Sequence, residues 1–365
     1  MFDLKNHLKT LVEAHAPSGH EAPLQAIVRE AWTGLVDRFE TDKLGSLISI
    51  KNGTPAKDSP RRKIMLAAHV DEIGMMVRDI VDGFIYVHRI SGVDNRVMLA
   101  QPVLVHGKRA LPGIVAAVPP HLLTEEMRKK YPSFDELVVD VGLPADEVNQ
   151  LVQIGDLITV DVPMMELMGK RVAGKAMDDR ACVAAVTACL HHLQTMKHVW
   201  DVYAVATVQE ETGLRGAAVS AHLIQPDVAI ALDVTFAPQP GVNNDVTNEM
   251  GGGPGIGIGP NFHPKLFDRI KEVAQANEIK IQNDIIPGAS GTDAWTIQVA
   301  LEGIPTALLE IPLRSMHSPV ETIDLRDVER CGRLLALFIA SLDAEFLAAI
   351  EWKVDSEKSK LEVPS

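Results

Sequence analysis

The sequence is short of the residues that would staple, anchor or make it cling to polyanions. It carries three cysteines in 365 residues, Cys182, Cys189 and Cys331, and no Cys-x-x-Cys pair. In a helical segment Cys182 and Cys189 stand about two turns apart, roughly 10 Å, which is beyond disulfide reach. Free, buried thiols of a reducing compartment are expected instead. Basic charge is also scarce: 35 Lys and Arg face 49 Asp and Glu, a formal net charge of −14. That balance disfavours nonspecific binding to nucleic acid or anionic lipid. There is no apolar stretch of about 18 residues, so no membrane-spanning helix is expected. The opening residues Met1-Phe2-Asp3-Leu4-Lys5-Asn6 place charge where a signal peptide needs an apolar run. The cytoplasm is the expected location. No internal repeat is visible.

What is present is the composition of a globular enzyme, with 46% hydrophobic and 23% charged residues. Apolar positions recur at helical spacing over residues 2–14 and 20–37, broken by Pro17-Ser18-Gly19. Ile64–Ala68 is a short continuous apolar run, the signature of a strand buried on both faces. From 74 to 163 short Val- and Ile-rich runs alternate with Gly and Pro: Phe84–Ile90, Pro102–His106, Gly113–Val118, Leu137–Val141 and Leu157–Val162. Beyond Pro163 helices and apolar strands alternate again. The candidate helices are Asp179–Met196 and segments near 214–223, 264–277 and 325–350; the strands are Val202–Val208, Val228–Leu232 and Thr306–Ile311. The pattern predicts an α/β fold, a three-layer sandwich with a mixed sheet, interrupted by a small β-barrel-like insert. Its parts are 1–73 and 164–352 for the sandwich, 74–163 for the insert, and a polar tail over 353–365.

Chemistry gathers at the ends of the apolar strands. Ile64–Ala68 runs into His69-Val70-Asp71-Glu72, and Val202–Val208 into Gln209-Glu210-Glu211. Val228–Leu232 runs into Asp233, Thr306–Ile311 leads to His317, and Asp178-Asp179 opens a helix. Open α/β sheets place ligands at such carboxyl ends. Taken singly, each residue has a plainer explanation: an Asp after a strand is usually a cap or turn, and a lone His is usually structural. Convergence changes the reading, because two imidazoles and three carboxylates are costly to bury together without cations. In His69-Val70-Asp71 strand alternation puts both side chains on one face, so Asp71 can fix the imidazole. Glu210 and Glu211 point different ways, which allows one to bind metal and the other to move protons.

These blocks, in this order, resemble the cobalt- or zinc-dependent tetrahedral aminopeptidases, also called glutamyl aminopeptidases and formerly labelled endoglucanases. The resemblance covers nearly the whole chain and includes Pro17–Glu21, His69–Gly74, Gly174–Arg180, Glu210–Ala217, Ala231–Thr235, Ser290–Ala294 and His317–Glu321. It implies that His69, Asp178 and Asp233 hold one divalent metal, and that Asp178, Glu211 and His317 hold a second. Glu210 would be the general base and Asp71 would orient His69, while Asp179 would shape the turn or helix start. Substrate contacts are implied at Gly253, Gly291, Thr292 and Asp293. The two metals would be zinc or cobalt, with manganese equally suited to the donor set. The implied substrates are peptides cleaved at the N-terminal residue, and the implied assembly is a homo-oligomer, a hollow tetrahedral dodecamer joined through the β insert.

Two segments depart from the family pattern. Gly251-Gly252-Gly253-Pro254 stands where relatives commonly carry a basic residue, and Ser315 where an aromatic is frequent. Both are expected to border the side-chain pocket. The glycine stretch lacks the G-x-G-x-x-G order of a nucleotide loop. Three other readings compete: an amidohydrolase or deacylase on the same scaffold, a glycosidase, and a noncatalytic assembly protein. A glycosidase needs two flanking carboxyls and no histidines, and a scaffold has no use for a free base beside a metal site.

Overall fold

A computed structural model describes residues 2–57 and 59–352; the tail expected over 353–365 lies outside the described residues. The chain opens with helices α1 (Leu4–Glu13) and α2 (Ala22–Trp32), then strands β1 (Arg38–Thr41), β2 (Leu47–Lys51) and β3 (Lys63–His69). The second helix stops five residues short of the periodic pattern, because Thr33 takes an extended backbone and Gly34 a left-handed one. Next come β4 (Gly74–Val81), β5 (Phe84–Ile90), α3 (Asn95–Met98), β6 (Pro102–His106), β7 (Ala110–Ala116), β8 (Val138–Asp140), α4 (Ala145–Leu151) and β9 (Leu157–Val160). The chain returns through β10 (Met165–Glu166) and β11 (Arg171–Gly174) into α5 (Met177–Leu193), β12 (Asp201–Thr207), α6 (Arg215–Ile224) and β13 (Val228–Phe236). It ends with β14 (Gly255–Ile258), α7 (Pro264–Ala276), β15 (Gln282–Ile285), α8 (Asp293–Ile297), β16 (Thr306–Leu313), β17 (Glu321–Asp324), α9 (Leu325–Ala340) and α10 (Phe346–Ile350).

The main sheet has eight strands in the order β1-β2-β12-β3-β13-β16-β14-β15. Its centre, β12-β3-β13-β16, is parallel, and β2 and β14 join it antiparallel on either side. Both faces of the central strands are covered, which is why they read as unbroken apolar runs. Ile64, Leu66, Val202, Ala204, Val228 and Ile230 pack toward α1, α2, α5, α7 and α9. The alternate residues Met65, Ala67, Val205, Ala229, Ala231 and Leu308 pack toward α6 and α8. The fold is thus the α/β three-layer sandwich that the pattern predicts. The insert is also as predicted, with β4-β5-β8-β7-β6-β9 closing into a six-stranded barrel. Alternate residues such as Val103, Val105, Ile85 and Val87 fill its interior.

The long C-terminal helix expected to 350 is two helices, separated by Ser341–Glu345. Its periodicity carries on unbroken because Phe346 and Ile350 of α10 are buried like the residues of α9. Strands β1, β2, β14 and β15 at the sheet edges have no strong apolar alternation and do not announce themselves.

A buried ion cluster sits between the first helix, the end of β3 and the start of α5. Glu72 accepts from Lys175 Nζ at 2.7 Å and from Arg180 Nη2 at 3.2 Å, and also from the Ala16 amide at 2.9 Å. Arg180 is wholly buried and also donates to the carbonyls of Leu11, Ala14 and Val70. Burial works to raise Glu72, but Lys175 and Arg180 hold it down at about 2, against an ordinary 4.5. Glu72→Gln strands two buried cations, so denaturant unfolding should show a loss of about 3–5 kcal/mol near neutral pH. Because the folded-state value is depressed, this stabilisation is present above pH 4.5 and fades as pH falls toward 2. The gap between wild type and variant should therefore narrow as pH falls from 4.5 toward about 2.

Candidate metal centre

The central parallel strands end together above the α6 and α8 face, and there the candidate ligands meet. His69 is the last residue of β3 and is buried. Its Nε2 lies 3.1 Å from Asp178 Oδ1 and 3.8 Å from Glu210 Oε2. The other Asp178 oxygen, Oδ2, is 3.4 Å from His317 Nε2, which in turn is 3.5 Å from Glu211 Oε1. A single carboxylate therefore faces two imidazoles. Two sets of donor atoms converge within 4.8 Å of one another: His69, Asp178 and Glu211, and His69, Glu210 and Asp233. Asp233 lies within β13, which continues to Phe236 rather than ending at Leu232.

Backbone anchors explain why these side chains cannot drift. The Asp71 carboxylate accepts the amides of Glu210 at 3.0 Å and Glu211 at 3.2 Å, and the Ser18 hydroxyl at 2.5 Å. Strand β3 stops at His69, so Asp71 lies past the alternation that predicts its placement. Its carboxylate still stands 3.5 Å from His69 Nδ1, while its carbonyl oxygen is nearer at 3.2 Å. Asp179 does more than start the helix: its Oδ2 accepts the His69 amide at 3.2 Å, and its buried Oδ1 has no hydrogen-bond partner. Gln209 and His317 both adopt left-handed backbone, at φ 55° and 59°. Such conformations recur where a site is held by its surroundings.

Three contributors are given no role by the sequence, although Glu321 closes the His317–Glu321 block. Glu321, buried on β17, accepts the His317 amide at 2.7 Å and the Asp178 amide at 3.1 Å, tying two candidate ligands to one carboxylate. Ser91, just past β5 of the barrel, donates to Glu211 Oε2 at 2.7 Å. Gly92 packs so closely that a Cβ there would lie 2.2 Å from His317 Nδ1. The barrel thus closes one wall of the site. The only local signal was the Ser-Gly pair after a strand, which ordinarily means a turn.

The electrostatics are those of a site with too many carboxylates. Burial pushes Glu210 up to about 11 and Asp233 well above the ordinary range, with neighbouring carboxylates adding to both. Burial works the same way on Asp178, but hydrogen bonds from His317 and His69 hold it below the usual carboxylate range. Those to Asp178 and Glu211 push His317 up to about 11. Imidazole nitrogens and carboxylate oxygens in this density suit zinc, cobalt or manganese.

A cavity of about 610 Å³ opens from Asp178, Glu210, Glu211, Asp233 and His317. Gly291 and Thr292 line it; Asp293 lies behind them, buried, accepting the Thr207 hydroxyl at 2.6 Å. Burial pushes Asp293 up to about 6. Gly253 is not on the cavity wall. Its amide bonds Asp327 at 2.9 Å and its carbonyl accepts from Gln282, so the glycine stretch packs against α9 instead. Ser315 is likewise off the wall and bonds the Gln239 side chain, while the adjacent Met316 lines it.

An α/β sandwich with a barrel insert and this His–carboxylate constellation at its strand ends defines a metallopeptidase class. Residues 45–334 match the M42 glutamyl aminopeptidase family, and the chain belongs to that family. It is 37% identical over 343 residues to a lysyl aminopeptidase of Pyrococcus furiosus, spanning 92% of this chain and 96% of the relative. Among solved structures it is similar to an aminopeptidase of the archaeon Desulfurococcus kamchatkensis, at 38% identity and TM-score 0.88, covering 96% and 99% of the two chains. It is also similar to the TET1 peptidase of Pyrococcus horikoshii, at 28% identity and TM-score 0.82, covering 93% and 100%. That protein assembles into a tetrahedron or a large octahedral shell.

Proposed function

We propose that the chain is an aminopeptidase removing the N-terminal residue of peptides at a site holding two divalent metal ions. The observation that carries this is the Asp178 carboxylate, whose oxygens face His69 at 3.1 Å and His317 at 3.4 Å. His69, Asp178 and Asp233 would hold one ion, and Asp178, Glu211 and His317 the other. When bound, zinc, cobalt or manganese would supply charge that acidifies a water and polarises the scissile carbonyl. Burial alone would keep Glu210 protonated, so its role as base, outside those two triads, needs the charge of the bound cations to hold it ionised; it would then accept the water proton and return it to the leaving amine. Asp71 holds the backbone of Glu210 and Glu211, so base and ligand keep their relative aim. Nearby carboxylates attract the free α-amine, which confines cleavage to the chain end.

Treating the protein with chelator should abolish hydrolysis of aminoacyl p-nitroanilides, and cobalt or zinc should restore it. Unchanged activity after chelation would sink the two-metal mechanism. Acetylating the substrate amine should also abolish cleavage; if it does not, a deacylase reading replaces this one.

The protein is proposed to act in the cytoplasm, and among the described residues no helix is long and apolar enough to cross a membrane. The barrel insert over 74–163 is proposed to join copies into a homo-oligomer, a tetrahedral dodecamer. Exposed apolar residues on it support this, among them Leu122 and Tyr131, 68% and 71% exposed. Light scattering of the purified protein tests it, and a monomeric mass counts against it.

A further inference from the structure

The cavity that opens from the candidate metal centre has a second chemical feature beside that centre. Glu310 of β16 is the register partner of Asp233 of β13, so both side chains leave the same face of the sheet. Glu310 is 4% exposed, lines the cavity, and its Oε2 has no hydrogen-bond partner. It lies against the carboxyl of Asp284 on β15, which is 7% exposed and also lines the cavity. Thr235 donates its hydroxyl to Asp284 and so orients that carboxyl. Strand β14 runs between β16 and β15, and the residue it sets opposite Glu310 is Gly255. A Cβ at Gly255 would lie 3.5 Å from the Asp284 Cβ.

Two buried acids side by side cannot both be charged without compensation: they share a proton, which raises Glu310, until a cation replaces it. Apolar side chains line part of the same cavity: Leu214, Phe236, Ile285, Ile286 and Met316 border it. None of the described residues lining it is a lysine or arginine. A cavity that combines apolar walls with paired acids matches a side chain with an aliphatic stem and a cationic head.

We infer that Glu310 and Asp284 form the specificity pocket for the N-terminal side chain, and that it selects lysine and arginine. This rests on the aminopeptidase reading above. It disfavours acidic N-terminal residues, which would bring a third carboxylate beside the pair with no lysine or arginine among the described lining residues to receive it.

The test compares lysyl, arginyl, leucyl and glutamyl p-nitroanilides on the cobalt-loaded protein. Lysyl and arginyl substrates should give the highest kcat/KM, and the glutamyl substrate the lowest. Glu310→Gln keeps the shape and removes the charge, and should cut the lysyl-to-leucyl ratio of kcat/KM by at least about tenfold. Asp284→Asn, measured in parallel, carries the same expectation should Glu310→Gln fail to fold. Cleavage of all four substrates without a basic preference overturns the inference and leaves the aminopeptidase intact. So does an equal loss on lysyl and leucyl substrates, which would make the pair structural or assign it to the α-amine. Failure to cleave any of the four removes the aminopeptidase reading itself.

Discussion

Glu210→Gln is expected to lower kcat by a factor of about 10²–10⁴ while the metal content of each chain stays at the wild-type level. The structure makes both halves of this expectation necessary. Glu210 sits close enough to His69 and Asp233 to be a ligand itself, since donor atoms of the three lie within 4.8 Å of one another. Spatial grouping alone therefore does not separate base from ligand. Glutamine has the same length, and the amide at 210 still bonds Asp71, so the loop carrying Glu211 should not move. What is lost is the capacity to take a proton from water and hand it to the leaving amine. Metal analysis of the purified variant, beside steady-state kinetics, reads the two roles apart. If metal and activity fall together, Glu210 is a ligand and the base lies elsewhere.

The candidate ligands are legible in the sequence for a physical reason. Strands buried on both faces are continuous apolar runs, so the first polar residue after each run marks a strand end, and parallel strands end on the same side. His69 shows this most plainly: β3 is apolar from Ile64 to Ala68 and stops at the histidine. Asp233 was found by the same reasoning although its strand runs on to Phe236, because the break in apolarity comes before the break in hydrogen bonding. Assigning Asp178 and Asp179 to different tasks needed the family resemblance, since their spacing is the same from either side. In the structure Asp178 faces the imidazoles and Asp179 holds the His69 amide.

What stayed hidden depends on long-range register. Ser91 and Glu211 are 120 positions apart, and only closure of the barrel against the sheet brings them to 2.7 Å. Glu310 lies inside the apolar strand β16, where a lone carboxylate carries no periodic signal. Asp284 sits on a short edge strand of mixed polarity, Gln282–Ile285, that has no apolar run to frame it. They sit on strands that β14 separates, so their meeting depends on the register of three strands. Gly253 was misplaced for the opposite reason. Glycine-rich sequence suggests a mobile loop open to ligand, yet here the chain folds back to give two amides to the buried Asp327.

Asp178→Asn should empty both metal positions, whereas substitution of His317 should chiefly affect one. The difference follows from where the charges lie. Asp178 is buried and, among the described residues, is the one carboxylate whose two oxygens reach both histidines, at 3.1 and 3.4 Å. Asparagine preserves its volume but removes the negative charge and turns one oxygen into a donor. Two cations held a short distance apart repel one another, and the shared anion offsets that repulsion; without it each weakens the other's binding. Metal stoichiometry should fall below one per chain, and kcat/KM by at least about 10³, equivalent to about 4 kcal/mol of transition-state stabilisation. Added cobalt should recover little of it. The Glu321 carboxylate still receives the backbone amides of residues 178 and 317, so the metal-free variant should stay folded, as circular dichroism would show. A variant that keeps two ions and loses only rate would mean that Asp178 does not bridge, and the two triads would have to be redrawn around separate ligands.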